Sequence, residues 1–164
     1  MGAPFNVYLR DGENMVAGTY AVKAGDTLTQ SFPMSDEKYS IDVHAPNGFF
    51  RSFNGTVKAP VMVEAIYEQQ GRRLSGNIAL RVKNSGKTPV QVAVKDHSYG
   101  LAPVMKNVAA GVTEDIAMWS AKSHGWYDVS VSIENNEARY AGRVETGAIS
   151  ITDPVMGGVS QEKA

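Results

Sequence analysis

The sequence predicts an all-β fold made of two tandem immunoglobulin-like, sandwich-like units that pack together. Two observations carry this prediction. Apolar and polar residues alternate in short stretches, as in strands that bury one face; examples are Ile78–Lys83, Val90–Val94 and Val129–Ile133. The two halves of the chain also repeat one ordered series of residues, which organises any fold built on it.

Clusters of turn-forming residues separate the alternating stretches. They lie at Arg10–Asn14, Ala45–Gly48, Lys83–Lys87 and Ile133–Glu137. Each cluster contains Gly or Asn, residues that accept the positive φ that strand reversal often needs. The best helical candidate, Val61–Gln70, is rich in β-branched and aromatic residues at its start and fits a strand at least as well. We therefore expect strands spaced about 8 to 12 residues apart, as in a sandwich or barrel.

The repeat covers three segments of each half. Val22–Thr27, Tyr39–Val43 and Arg51–Val57 are followed in the second half by Val108–Thr113, Tyr127–Val131 and Arg139–Val144. The offset stays between 86 and 88 residues, so insertions are confined to loops, where they cost little. In this alignment Tyr39 matches Tyr127, and Arg51 matches Arg139. We predict a first copy over residues 1–59, a second copy over 60–155 and a disordered tail over 156–164.

Composition excludes several classes of protein. The 164 residues include no cysteine, which rules out disulfide scaffolds, thiolate zinc sites and cysteine nucleophiles. The longest apolar run, Ile116–Trp119, is far shorter than the ~20 residues of a membrane-spanning helix. A net charge of -1 argues against a nucleic-acid surface, which needs clustered cations. Residues Met1–Phe5 show neither the basic nor the apolar region of a secretory signal.

The second half carries a long ordered series of motifs. They are Leu80–Gly86, His124–Val131, Tyr140–Gly147 and Ser150–Pro154. These motifs resemble the C-terminal domain of bacterial phospholipases C, the group that acts on phosphatidylcholine and sphingomyelin and is related to an acid phosphatase. That family carries the module twice in tandem after its catalytic domain, in agreement with the repeat found in this sequence.

The resemblance implies an accessory region rather than an enzyme. In that family the phosphodiester chemistry belongs to a large N-terminal domain similar to alkaline phosphatases, and nothing in this sequence matches that domain. The resemblance therefore implies a secreted or periplasmic parent protein, and a catalytic domain of the same parent chain as the partner. We expect no nucleic acid as a partner, and a phospholipid or membrane surface as a further candidate.

The motif search identifies no catalytic, metal-binding or cofactor-binding residue. His44, His97 and His124 are far apart, and none of their spacings is that of a metal-ligand motif. Ser85–Thr88 imitates the end of a phosphate-binding loop, but Arg81 stands where that loop needs glycine, and an alternating strand follows instead of a helix. We interpret this segment as a hairpin turn.

Exposed aromatic residues are the remaining candidates for a binding site. The residues that could contact a membrane or a choline headgroup are Phe49, Phe50, Arg51, Trp119 and Trp126, because quaternary ammonium groups bind well over aromatic faces. The alternative, which we favour, is that Phe49 and Phe53 pack inward and Phe50 covers a neighbouring strand. Likewise, the tryptophans and Tyr127 are expected in the core, and Arg51 and Arg139 are expected to bond carbonyls or carboxylates.

Three functions remain open at this point. The first is support of a neighbouring hydrolase domain, together with engagement of its substrate surface. The second is an independent lectin-like or lipid-binding sandwich that uses Trp119, Trp126 or Phe50. The third is an immunoglobulin-like structural spacer that binds only its covalent neighbour.

Overall fold

The structure is a computed structural model that describes residues 2–33, 37–149 and 151–156. It contains eleven strands and one short 3-10 helix among these residues. The strands are β1 Gly2–Asp11, β2 Asn14–Lys23, β3 Lys38–His44, β4 Phe50–Thr56, β5 Val61–Gln70, β6 Arg73–Asn84, β7 Val90–Asp96, β8 Val104–Val108, β9 Thr113–Met118, β10 Trp126–Ile133 and β11 Asn136–Arg143; the 3-10 helix is Ser120–Ser123. Within the described part of the chain, no helix is long and apolar enough to cross a membrane.

The prediction of an all-β fold is confirmed. Val61–Gln70 is a strand, and the four turn clusters connect strands as expected. The turn between β1 and β2 uses Gly12 at φ +60°, and the turn between β10 and β11 uses Glu134 at φ +52°. Residues 157–164 of the predicted tail lie outside the described residues.

One eight-stranded antiparallel sheet runs through both copies of the repeat. Its order is β2-β1-β3-β4-β11-β10-β7-β8, so the first copy, β1–β4, forms one half and the second copy forms the other. The two halves join where β4 pairs with β11; we call this pair of strands the seam. The two units were predicted to pack on one another. In the structure they join edge to edge within one continuous sheet.

A second sheet covers only one half of the first. It has three strands in the order β5-β6-β9, and its inward residues share one core with those of β7, β10 and β11. The most completely buried members of this core are Ile78, Leu80, Val82, Val92, Val94, Val108, Val129, Val131 and Val144. The sandwich is therefore two layers thick over the second unit, whereas the described residues of the first unit form a single sheet.

The strand register relates the two halves by a local twofold axis. Ile41 pairs with Phe53 in the first unit as its equivalent, Val129, pairs with Tyr140 in the second. Phe53 and Tyr140 are therefore equivalent, 87 residues apart. At that offset Ser52 is the equivalent of Arg139, and these two residues pair directly across the seam.

This register corrects the expected match between Arg51 and Arg139. Arg51 pairs with Tyr140, and the next pair along is Ser52 with Arg139. Because successive residues of a strand point to opposite faces, the two arginines lie on opposite faces of the sheet. The equivalent of Arg51 in the second unit is Ala138, so the cation at this position belongs to the first unit alone.

Candidate functional site

Arg51 is the centre of an aromatic cluster on the core side of the seam. Its guanidinium carbon lies 4.2 Å from the ring centre of Phe49, 5.5 Å from that of Tyr127 and 5.3 Å from that of Tyr140. Rings at these distances attract a cation through their negative faces. The guanidinium also donates hydrogen bonds of 2.8 Å to the carbonyl oxygens of Phe50 and Ala141 and to the Tyr127 hydroxyl.

Burial sets the protonation of the tyrosines around Arg51. It raises the pKa of Tyr127 to about 12, although the nearby Arg51 charge acts in the opposite direction. Burial likewise raises the pKa of Tyr140, whose hydroxyl donates a 2.8 Å hydrogen bond to the Val63 carbonyl. Both hydroxyls are therefore neutral near pH 7, and Arg51 is balanced by ring faces and neutral oxygens. Arg51 thus joins β4 to β11 and β10 by charge-assisted contacts, and the neutral hydrogen bond of Tyr140 joins β11 to β5.

Phe49 and Phe50 lie on opposite faces of the sheet. The Phe49 ring meets the Phe5 ring edge-on at 5.7 Å and covers Arg51. The Phe50 ring lies 4.8 Å from the His44 ring, with the Arg139 guanidinium 5.9 Å from its centre. Phe53 packs against the core with its ring 5.8 Å from that of Tyr140. The inward packing of Phe49 and Phe53 is confirmed, and all three rings are used in contacts between strands.

The two tryptophans differ in exposure. Trp126 is half-buried; its indole N–H donates a 2.9 Å hydrogen bond to the Ile151 carbonyl, and Arg143 lies 5.9 Å from its ring centre. Trp119 precedes the 3-10 helix and is 56% exposed, and Trp126 is not a member of the core cluster, so the expectation that the tryptophans lie in the core is wrong. Tyr127, at 2% exposure, is in the core as expected. Trp119 is thus the one large aromatic side chain among the predicted contact residues that the described structure leaves mostly open to solvent.

A polar network occupies the opposite face of the second unit. Asp128 accepts two 2.8 Å hydrogen bonds from Arg139 and one from the Ser98 hydroxyl. Burial raises the pKa of Asp128, but these hydrogen bonds outweigh it and hold that pKa below its usual value. The expectation that Arg139 bonds a carboxylate is confirmed. This network ties β10 and β11 to the loop after β7.

His97 and Ser130 form a pair that the sequence motifs did not reveal. The His97 Nε2 atom lies 2.9 Å from the Ser130 hydroxyl oxygen. Such a pair can activate a serine when the serine is accessible and the histidine is oriented by a carboxylate. Ser130 is only 4% exposed, and the nearby Asp128 carboxylate is bonded to Arg139 and Ser98. The pair is therefore suited to fixing a loop, and the separation of 33 residues left no local motif to find.

Metal ligands are not clustered in the described part of the chain. No group of three or more His, Asp or Glu side chains is placed to hold an ion there. His44, His97 and His124 lie at three different strand ends or turns. Ser85–Thr88 joins β6 to β7, which belong to different sheets, so the expected hairpin turn is wrong and the segment is a turn that connects the two layers. The Gly86 N–H is bonded to the Asn84 side chain at 2.9 Å within this turn.

Comparison with known sequences defines the class of this two-unit module. A family model described as the C-terminal domain of bacterial phospholipase C matches twice, over residues 1–56 and 57–143. The chain belongs to this family, and the resemblance seen in the motifs is confirmed. The tandem matches also agree with the internal repeat.

Three curated bacterial phospholipases C are similar to this chain. It is 35% identical to a non-hemolytic phospholipase C of Pseudomonas aeruginosa over 95% of its own length and 24% of that protein's length. It is 33% identical to a hemolytic phospholipase C of the same organism, over 73% of the chain and 17% of the relative. A non-hemolytic phospholipase C of Burkholderia pseudomallei is 32% identical over 84% of the chain and 21% of its own length. The chain thus spans about a quarter or less of these relatives.

Proposed function

We propose that this chain is the non-catalytic C-terminal accessory region of a secreted or periplasmic bacterial phospholipase C. Its role is to support the catalytic part of that parent protein, which hydrolyses the phosphodiester bond of phosphatidylcholine-type lipids. One observation carries the proposal: the cation and rings best suited to bind a ligand, Arg51, Phe49 and Tyr127, are used to join the two units. Because these side chains fix the two units to each other, the module is suited to be a rigid support.

The experiment compares the catalytic part with and without this module. The residues of the Pseudomonas aeruginosa non-hemolytic phospholipase C that precede its matched region are produced alone and joined to this chain. We expect the joined protein to unfold at a higher temperature and to retain hydrolysis of phosphatidylcholine after heating that inactivates the shorter one. Equal stability of the two proteins would contradict the supporting role, and phosphatidylcholine hydrolysis by the purified 164-residue chain would contradict its non-catalytic nature.

Contact with a membrane is a second candidate, favoured by the exposure of Trp119. This ring is 56% exposed, and tryptophan is favoured at membrane–water interfaces. Co-sedimentation with phosphatidylcholine vesicles tests it with a Trp119→Ser variant and, as matched control, Met105→Ser, because Met105 is 60% exposed. Saturable binding lost only in Trp119→Ser supports a membrane role. No binding at physiological salt contradicts it.

The lectin-like alternative is tested by titration with soluble sugars and with phosphocholine. Trp119 and Trp126 report on binding through their fluorescence, and only Trp119 is largely exposed. A saturable change with a sugar favours an independent binding module. A response confined to phosphocholine favours engagement of the lipid headgroup.

A further inference from the structure

The apolar face of the first unit lacks the cover that the second unit has. In the second unit, β5, β6 and β9 cover Val92, Val94, Val129 and Val131, each at most 2% exposed. The pairing of Val43 with Val7 corresponds to that of Val131 with Val94. The equivalent four residues of the first unit, Phe5, Val7, Ile41 and Val43, are only partly buried. They line an open apolar cleft together with Tyr20 and Val22.

The rim of this cleft is the equivalent of β9. In the first unit the Asp26 N–H donates to the Lys23 carbonyl at 3.0 Å, and at the same place in the second unit the Val112 N–H donates to the Ala109 carbonyl at 3.2 Å. Gly25 takes φ +83° in this turn. The chain therefore leaves both turns in the same way, towards residues 27–32 in one unit and β9 in the other.

Residues 27–32 resemble a strand without a partner. Alternate residues Leu28, Gln30 and Phe32 line the cleft, just as the alternate residues Ile116 and Met118 of β9 are buried against the core. β9 is a strand because it pairs with β6. Residues 27–32 have no strand assignment, and within the described residues no equivalent of β6 lies beside them.

The two family matches show which part of the module has no counterpart in the first unit. The first match ends at residue 56 and the second at residue 143, which are equivalent positions at the offset of 87. The first match begins at residue 1, the equivalent of residue 88. Residues 57–87 therefore belong to the second match but have no equivalent in the first, and they contain both β5 and β6.

We propose that the apolar cleft of the first unit binds a β-hairpin supplied by the polypeptide that directly precedes this region in the longer phospholipase. One strand of the hairpin pairs with residues 27–32, as β6 pairs with β9. The pairing satisfies the main-chain groups of an open edge, and alternate apolar side chains fill the cleft. The inference rests on the proposed function and names its point of contact: the hairpin ties this module to the part of the parent that lies before it.

Hydrogen exchange on extended chains tests the hairpin. One chain carries, before residue 1, the roughly 31 residues that precede the matched region in the Pseudomonas aeruginosa non-hemolytic enzyme, the length of residues 57–87. A second chain carries a duplicate of residues 57–87 in the same place. We expect the amides of residues 27–32 to exchange at least ~10-fold slower in each extended chain than in the 164-residue chain, because strand pairing protects amides.

Matched variants identify the surface responsible. Leu28→Lys places a charge in the cleft and is expected to abolish the added protection. Met105→Lys, at a residue of similar exposure on β8, is expected to leave it intact. The proposal is overturned if residues 27–32 exchange as fast in the chain that carries the Pseudomonas aeruginosa segment as in the original chain while the amides of β7 and β10 stay protected, even where the duplicate of residues 57–87 protects them.

The same variants separate this inference from the proposed function. In the protein joined to the whole preceding part of the Pseudomonas enzyme, Leu28→Lys is expected to remove the stabilisation of the catalytic part, and Met105→Lys to keep it. Stabilisation that survives Leu28→Lys, with residues 27–32 unprotected also in the joined protein without the substitution, refutes the hairpin but leaves the supporting role. Protected residues 27–32 without stabilisation of the catalytic part refute the supporting role but leave the hairpin.

Discussion

The guanidinium of Arg51 donates a 2.8 Å hydrogen bond to the hydroxyl of Tyr127, so a cation from the first unit is held against the core of the second. Tyr127 is 2% exposed, and its high pKa keeps the hydroxyl neutral. The contact thus gives Arg51 a fixed acceptor that does not titrate near neutral pH. The two units are therefore held together at the seam by this side-chain hydrogen bond in addition to the backbone hydrogen bonds between β4 and β11.

Replacement of Arg51 by methionine is expected to destabilise the protein. The variant keeps an unbranched side chain but loses the hydrogen bonds to Tyr127, Phe50 and Ala141. Hydrogen bonds to a charged group and cation–π contacts of this kind together contribute about 3 kcal/mol. Urea denaturation measures the loss. Arg72→Met, at an exposed turn residue, is the control, and an equal effect of the two variants would contradict the role of Arg51.

Asn84 is expected to be the side-chain amide of the second unit whose replacement costs the most stability. It is 1% exposed; its side-chain nitrogen donates to the carbonyls of Thr88, Val108 and Ala109, and its oxygen accepts from the Gly86 N–H. Asn84→Ala leaves these groups without partners in a buried site, at a cost of about 2–4 kcal/mol. Asn107→Ala, on an exposed position of β8, is expected to be nearly neutral. Thermal and urea denaturation of both variants measure the difference, and an Asn84→Ala variant as stable as the control would show that water replaces the lost contacts.

The ion pair of Asp128 and Arg139 is expected to make stability depend on pH in the acid range. Because hydrogen bonds from Arg139 and Ser98 lower the pKa of folded Asp128, its stabilising effect is present above the unfolded-state pKa of about 3.9 and is lost as the pH falls through the lower folded value. The difference in unfolding free energy between wild type and Asp128→Asn should therefore shrink from about pH 5 downwards.

Asp115→Asn provides the comparison for that measurement. The pKa of Asp115 is also lowered, by Arg81, but this pair is more exposed, with side-chain exposures of 44% and 43%. Solvent screening reduces the contribution of such a pair. A pH-dependent effect of Asp115→Asn as large as that of Asp128→Asn would mean that burial of the network is unimportant.

Tyr99 is expected to hold the C-terminal segment against the second unit. Its hydroxyl donates a 3.0 Å hydrogen bond to Asp153, which in turn accepts one from the Val155 N–H. Tyr99→Phe removes the first bond only, so the Val155 amide should exchange about 5-fold faster, as expected for a contribution near 1 kcal/mol. Tyr8→Phe, in the first unit, should leave that rate unchanged, and no change in Tyr99→Phe would show that the Trp126 bond to Ile151 suffices.

Most of the fold is predicted by two local signals, residue alternation and turn residues. The main error of the prediction came from the alignment of the internal repeat. Alternation and turn residues define strands such as Val61–Gln70 without any knowledge of their partners. The repeat defines which strands are equivalent. It misplaced Arg51 against Arg139 because a shift of one residue changes little in a sequence alignment but exchanges the two faces of a strand; the strand pairing at Ser52 and Arg139 decides the matter.

The candidate site was less predictable because it depends on contacts between distant strands. Phe49 and Arg51 are adjacent to a turn and appear free to bind a ligand, yet Tyr127, 76 residues later than Arg51, completes their cluster. His97 and Ser130 meet only because β7 pairs with β10. Trp119 shows the opposite error, from expected burial to observed exposure. It lies in an apolar run that suggests burial, but its position just after β9 leaves it exposed.

The position of the twofold axis at Ser52 and Arg139 also determines how two such units can associate. An edge strand that can pair antiparallel with its own equivalent allows two identical copies of a single unit to associate as a homodimer with an isologous interface. Duplication and fusion of the gene would convert that association into one chain, in which the pairing no longer depends on concentration. In one chain the two units also need not be identical, and Arg51, whose equivalent is Ala138, is a difference between them at this joint.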